Sequence, residues 1–279
     1  MRLNLRGSAI AALALLIAIP TCAAAAEGRA APGGADPRPE LGVMGTLPLY
    51  WGEAEGLGDL LDPARDAHWA RPVLERDYRL VPLDWLGETG ISRVRLLLLA
   101  QPRPLAPEEN VALDAWVRAG GRLLLFADPM LTGESGFAVG DRRRPQDVAL
   151  LSPILAHWGL VLEFPEDQPA AMRRVTAADA AIPVRLAGRF VQRGNARDCS
   201  IEAEGLIAHC RLGAGRVLIV ADAALLDLHD PDPASAAALS ALMMRAFPQD
   251  GDNAGLAAHG RNDERFEDVR TVSGDADPP

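Results

Sequence analysis

Two aspartates end closely matching segments of this chain. Gly120–Asp128 reads GGRLLLFAD, and Gly213–Asp222 reads GAGRVLIVAD. In both, two glycines precede an arginine, an apolar five-residue run and the acid. A continuous apolar run of that length is the pattern of a strand buried on both faces of a parallel sheet. Asp128 and Asp222 then stand at the carboxyl ends of such strands, the edge where open α/β sheets form a ligand crevice. Carboxylates there could move protons or hold a hard cation through their oxygens. Each could equally cap the turn after its strand, as Asp128-Pro129 suggests. Both readings stand.

Other chemistry-bearing residues narrow the field. The loop Leu47-Pro48-Leu49-Tyr50-Trp51-Gly52 follows the first apolar run. If that run is a strand parallel to the other two, Tyr50 and Trp51 reach the same edge. There they form a binding platform, or they pack as a lid on the sheet. An amidotransferase nucleophile would be a cysteine on the tight turn after a central strand. Asp128-Pro129-Met130 stands there instead, and the three cysteines are Cys22, Cys199 and Cys210. Gly133-Glu134-Ser135-Gly136-Phe137 departs from a serine elbow at its last residue. The five histidines have no metal-ligand spacing. Asp227-Leu228-His229-Asp230-Pro231-Asp232 lacks the glycine and distal glutamate of a calcium loop and reads as a solvated turn. Arg142-Arg143-Arg144 reads as a solvated loop. No metal and no cofactor are expected.

Composition excludes further classes. All 28 basic residues among the 279 are arginine. Without lysine there is no phosphate-loop ATPase, no Schiff-base enzyme and no pyridoxal-phosphate enzyme. A net charge of −10 gives no basic footprint for nucleic acid.

The elements that must position these residues alternate. Strands are expected at 41–44, 78–82, 95–100 and 122–127, with helices at 71–76 and 107–119. Pro107, Glu108 and Glu109 suit the start of the second helix, and Gly120-Gly121 its end. Ser152 is a candidate cap for a short helix that starts at Pro153 and stops at Gly159. A strand over 160–164, a β-rich stretch over 165–211, a strand over 217–221 and a helix over 234–247 follow. The expected fold is a doubly wound α/β domain with a mostly parallel sheet over 41–248 and a β-rich insertion at 165–211.

The ends lie outside that body. Arg2 and Arg6 flank an apolar run to Ile19, and Ala23–Ala26 offers a cleavage zone. Residues 1–26 read as a signal peptide, or as an anchor over 8–26. Residues 27–40 read as a linker and 249–279 as an acidic, solvated tail. Export implies an oxidising compartment such as the periplasm, where Cys199 and Cys210 would pair. A turn centred on Glu204-Gly205 sets the two opposite each other, with a two- or a four-residue loop.

The same segments carry a family resemblance. QPRPLAPEENVALDAWVRAGGRLLLFADPML (101–131), LLSPILAHWGLVLEF (150–164) and GAGRVLIVADAALLD (213–227) together resemble the auxiliary domain of gliding-motility-type ABC transport systems. The resemblance implies a fold like class I glutamine amidotransferases without their catalytic residues. It implies an exported, non-catalytic role beside an ABC transporter, with an ABC transporter permease or another envelope protein as partner, while the anchor reading of 8–26 gives membrane association through the N-terminal segment. The expected function is therefore a non-catalytic envelope binding or scaffold protein, its crevice marked by Tyr50, Trp51, Asp128 and Asp222. The alternative is an exported hydrolase using Asp128, Asp222 and Asp227 with a divalent cation.

Overall fold

A computed structural model describes residues 36–51, 67–194 and 197–248. The expectations for 1–26, for 249–279 and for the start of the linker lie outside these residues. The described residues from Arg38 to Pro248 belong to one unit.

The apolar runs become strands of one seven-stranded sheet. They are β1 (Glu40–Gly45), β2 (Arg79–Pro82), β3 (Leu96–Ala100) and β4 (Arg122–Phe126), then β9 (Cys199–Glu202), β10 (Ile207–Leu212) and β11 (Gly215–Val220). Their order is β2-β1-β3-β4-β11-β10-β9. The first five are mutually parallel, while β10 runs against both β11 and β9. The fold is thus mixed α/β, with a mostly parallel central sheet and added antiparallel strands.

Both faces of the sheet are covered, which is why β3, β4 and β11 are apolar throughout. Alternate residues point to opposite sides. Leu98, Leu124 and Leu218 meet α1 (Ala70–Asp77) and α5 (Pro233–Ala246). Leu97, Leu99 and Leu125 meet α2 (Glu88–Ile91), α3 (Pro107–Arg118) and α4 (Ser152–His157). Local chemistry starts these helices. Asp232 caps α5 by accepting from the Ser235 N–H at 2.8 Å, ahead of Pro233. At α3 the fully buried Glu109 reaches back to the Ala106 N–H (2.9 Å). It also takes the Leu86 N–H (3.0 Å) and Arg103 (2.7 Å). Helix α4 begins at Ser152 with Leu151 as its cap residue, so Ser152 is not the cap expected from sequence. Pro153 occupies the first turn, where its missing N–H costs nothing.

The paired glycines have a packing reason. Gly120 closes α3 with φ +111°, a left-handed conformation that suits glycine. At Gly215 a Cβ would lie 1.9 Å from the Val117 carbonyl oxygen, so only glycine lets β11 start against the end of α3.

The stretch 165–211 divides. β6 (Arg173–Ala177) and β7 (Ala180–Val184) form a separate hairpin, and β8 (Arg189–Gln192) pairs with β5 (Leu160–Glu163). β9 and β10 instead extend the central sheet. Cys199 and Cys210 face each other there, Cα atoms 4.0 Å apart, and are joined as a disulfide. The Arg211 N–H bonds to the Asp198 carbonyl, so 199 and 210 are a non-hydrogen-bonded pair. Glu202 opposes Ile207, which makes 203–206 the four-residue form of the turn.

The bond closes the outer edge of the sheet. Reduction should lower unfolding stability by roughly 2–4 kcal/mol. Denaturant melts with and without reductant check this, and coincident curves would contradict it.

Candidate functional site

Strands β1, β3, β4 and β11 end at one edge, and a buried polar seam runs along it. It begins at Gln101, directly after β3. This fully buried glutamine has φ +49°, which is uncommon for a residue with a side chain. Its amide meets the Asp128 backbone twice. Nε2 donates to the Asp128 carbonyl at 2.9 Å, and Oε1 accepts the Asp128 N–H at 2.8 Å. Nε2 also donates to the Gln146 carbonyl at 2.9 Å. The Gln101 carbonyl accepts from the Thr46 hydroxyl (2.6 Å) and the Thr46 N–H (3.1 Å), which ties in the end of β1. Thr46 Oγ1 in turn accepts the Gln146 N–H at 2.9 Å.

Asp128 and Asp222 continue the seam, and their local geometries match. Asp128 Oδ1 accepts the N–H of Met130, two residues on, at 2.8 Å. Asp222 Oδ1 accepts the N–H of Ala224, also two residues on, at 2.7 Å. Each second oxygen takes a distant N–H. For Asp128 it is Ala223 (3.0 Å), and for Asp222 it is Arg185 (2.9 Å), just past β7. Both side chains therefore hold turns and link neighbouring strand ends. Both are buried.

That burial sets their protonation. Burial pushes the Asp128 carboxyl up to about 6, against the pull of the Ala223 and Met130 N–H groups, with the Asp227 charge adding to the rise. Asp222 is raised well above the usual carboxylate range, by burial first and then by the charge on Asp128. Two acids this close and this dry favour sharing less than two full charges.

The aromatic pair lies elsewhere on the same edge. β1 is parallel to β4 and β11, as the sequence argument required, yet Tyr50 and Trp51 line a different cleft from Asp128. Theirs, about 330 Å3, lies over the ends of β1, β2 and β3, between Leu47–Trp51 and Pro82–Asp84, with Phe137 and Arg143 across it. Trp51 is 65% exposed and meets Tyr50 edge-on at 4.8 Å between centroids. Arg71 holds the loop from behind. Its guanidinium stacks 4.6 Å from the Tyr50 ring centre and donates to the Tyr50 carbonyl at 2.7 Å. The cleft is walled by apolar groups and has few polar ones.

A second cleft of about 360 Å3 is lined by Asp128, Asp227, Glu134, Arg185 and His229. Asp222 is not in its wall. Among the described residues no group of three or more His, Cys, Asp or Glu is placed to hold a metal ion. Sequence reasoning missed Gln101 and Thr46. Neither residue type announces a left-handed backbone or a bridging carbonyl.

The family match concerns the first part of this edge. Residues 38–164 match the model of a family described as an ABC-type uncharacterized transport system. That stretch holds Tyr50, Trp51, Gln101 and Asp128, while Asp222 lies beyond it. No curated protein matches the chain in sequence. Among solved structures it is similar to the exo-beta-1,4-mannosidase Op5Man5 from Opitutaceae bacterium strain TAV5, at TM-score 0.41 and 14% identity over 75% of this chain and 36% of that one. It is also similar to a catalytic mutant of Gan42B, a GH42 beta-galactosidase from G. stearothermophilus. That match has TM-score 0.44 and 15% identity over 75% and 30% of the two chains. The mmIFT52 N-terminal domain matches at TM-score 0.46 and 13% identity over 75% and 98%. The chain spans about a third of the length of the two glycosidases.

Two outcomes follow for the seam. Gln101→Ala strips the Asp128 N–H of its partner, leaves the Asp128 carbonyl with the Ala149 N–H as its donor, and should cost roughly 1–3 kcal/mol. Thermal melts check this at roughly 2–4 °C per kcal/mol, and an unchanged Tm would count against it. Asp128 is raised in the fold, so its contribution to stability is complete below the unfolded value and is lost as pH climbs through about 6. Carboxyl-detected NMR should place its midpoint near 6. A midpoint in the ordinary aspartate range, about 3.9, would contradict the burial account.

Proposed function

We propose that this chain is a non-catalytic auxiliary component of an ABC transport system, exported to the periplasmic side and held at or near the membrane by its N-terminal segment. The single observation that carries the reading is the family match over 38–164, which suggests an auxiliary transport-system component. The strand order supports the flavodoxin or amidotransferase type of doubly wound fold, since the order reverses between β1 and β3. The aromatic cleft sits at that reversal, where ligands of such sheets bind.

Recognition without chemistry fits the side chains. All four carboxylate oxygens of Asp128 and Asp222 accept backbone N–H groups. In this reading the working surface is the Tyr50–Trp51 cleft, where exposed aromatic area meets a partner such as the permease. No helix among the described residues is long and apolar enough to cross a membrane. Contact with the transporter therefore falls to the cleft and to the ends of the chain.

Affinity purification of the tagged full chain from envelope detergent extracts tests this. An ABC permease or ATPase should co-purify. Trp51→Ala should remove most of it while leaving Tm unchanged, because Trp51 is exposed. Recovery of the chain free of any transporter component, or from the cytosol with Met1 intact, would contradict the reading.

A further inference from the structure

The opposite edge of the sheet carries a feature that the transport reading does not use. A cleft of about 490 Å3 opens over the amino ends of β1, β3 and β4. Arg93, Arg95 and Arg122 line it, around an apolar floor that includes Tyr78 and Phe247. Those two rings meet edge to face with centroids 6.1 Å apart. Glu40 is the acid in its wall, and Glu40 is paired with Arg79. Arg93 and Arg95 are exposed, and among the described residues no carboxylate pairs with either. The protein as a whole is acidic, with net charge −10, so a cluster of cations in a concave site runs against its composition.

The chain itself ends its described course in this cleft. Pro248 is part of the lining, and its carbonyl accepts from Arg122 Nη1 at 2.5 Å. The segment that continues from it, 249–279, has eight acids against three arginines. Asp250 and Asp252 come first. At about 3.5 Å per residue they reach at most ~7 Å and ~14 Å beyond Pro248. Tethering so short makes the encounter intramolecular, at an effective concentration on the order of millimolar.

We propose that the arginine cleft is the docking site of the acidic C-terminal segment, with Asp250 and Asp252 paired to Arg93 and Arg95. The tail then screens the cations from other anions. An acidic partner gains the cleft only by displacing it. The contacts are solvent-accessible ion pairs, so they weaken as salt shortens the Debye length to about 3 Å at 1 M.

The test uses the full chain carrying Cys22→Ser, with a nitroxide on Ala254→Cys. Cys199 and Cys210 are joined and take no label. In low salt the backbone amide signals of Arg95 and Gly120 should lose most of their intensity to the spin label. They should recover in 1 M NaCl and in the Asp250→Asn, Asp252→Asn variant. Exchanging the signs, with Arg93→Glu and Arg95→Glu against Asp250→Arg and Asp252→Arg, should restore the loss, and equal Tm values show that the body is intact. Undiminished signals in low salt would overturn the proposal, as would a loss that survives both salt and neutralised acids. Phosphatidylglycerol vesicles that bind this edge equally with and without Asp250 and Asp252 would assign the cleft to a membrane instead, and would overturn it too.

Discussion

A strand that ends inside a protein leaves backbone N–H and carbonyl groups that must be paired, because an orphan costs about as much as a lost hydrogen bond. Four of the five parallel strands, β1, β3, β4 and β11, end side by side along one edge beneath loops, and the requirement recurs at each. The solution is one continuous seam. Thr46 ties the end of β1 to Gln101, and Gln101 ties the end of β3 to Asp128. Asp128 then ties the end of β4 to Ala223, and Asp222 ties the end of β11 to Arg185 in the antiparallel segment. The left-handed backbone at Gln101 is the local strain this requires, and the surrounding bonds hold it in place. Placement of both carboxyl-edge clefts depends on this seam, since their loops depart from it.

The seam also decides what the two acids can do. A carboxylate that accepts a turn N–H on one oxygen and a distant N–H on the other is committed to the fold. Their raised affinity for protons follows first from burial and then from a neighbouring charge, that of Asp227 on Asp128 and that of Asp128 on Asp222, which are consequences of position. Perturbed acids in a cleft often mark catalysis, yet ion-pair and hydrogen-bond frameworks perturb them too. Here the hydrogen bonds name the framework. The aromatic cleft differs: Trp51 is exposed and meets Tyr50 edge-on, and Arg71 stacks on Tyr50 from behind.

Much of this edge was legible in the residues. Continuous apolar runs marked β3, β4 and β11 because those strands are buried on both faces. The repeat of glycines, arginine, apolar run and aspartate marked two structurally equivalent turns, and the matching Asx turns at Asp128 and Asp222 are its physical content. The spacing of Cys199 and Cys210 around Glu204-Gly205 marked a hairpin pair because antiparallel register is arithmetic. Gln101 was not legible, since a glutamine before a proline shows no preference for a left-handed backbone. The separation of Tyr50 and Trp51 from Asp128 was hidden for another reason. Strand order along a sheet is a long-range property, and two residues at one edge can stand over different strands.

We propose that the strand-end aspartates serve the fold and that the protein recognises without reacting. Turnover of ester, amide, phosphoester and glycoside substrates by the purified full chain, with and without magnesium, calcium or zinc, tests it most directly. No turnover is expected in the unaltered protein, and a changed Tm is expected as the effect of Asp128→Asn. Turnover that Asp128→Asn abolishes while the Tm stays the same would contradict it.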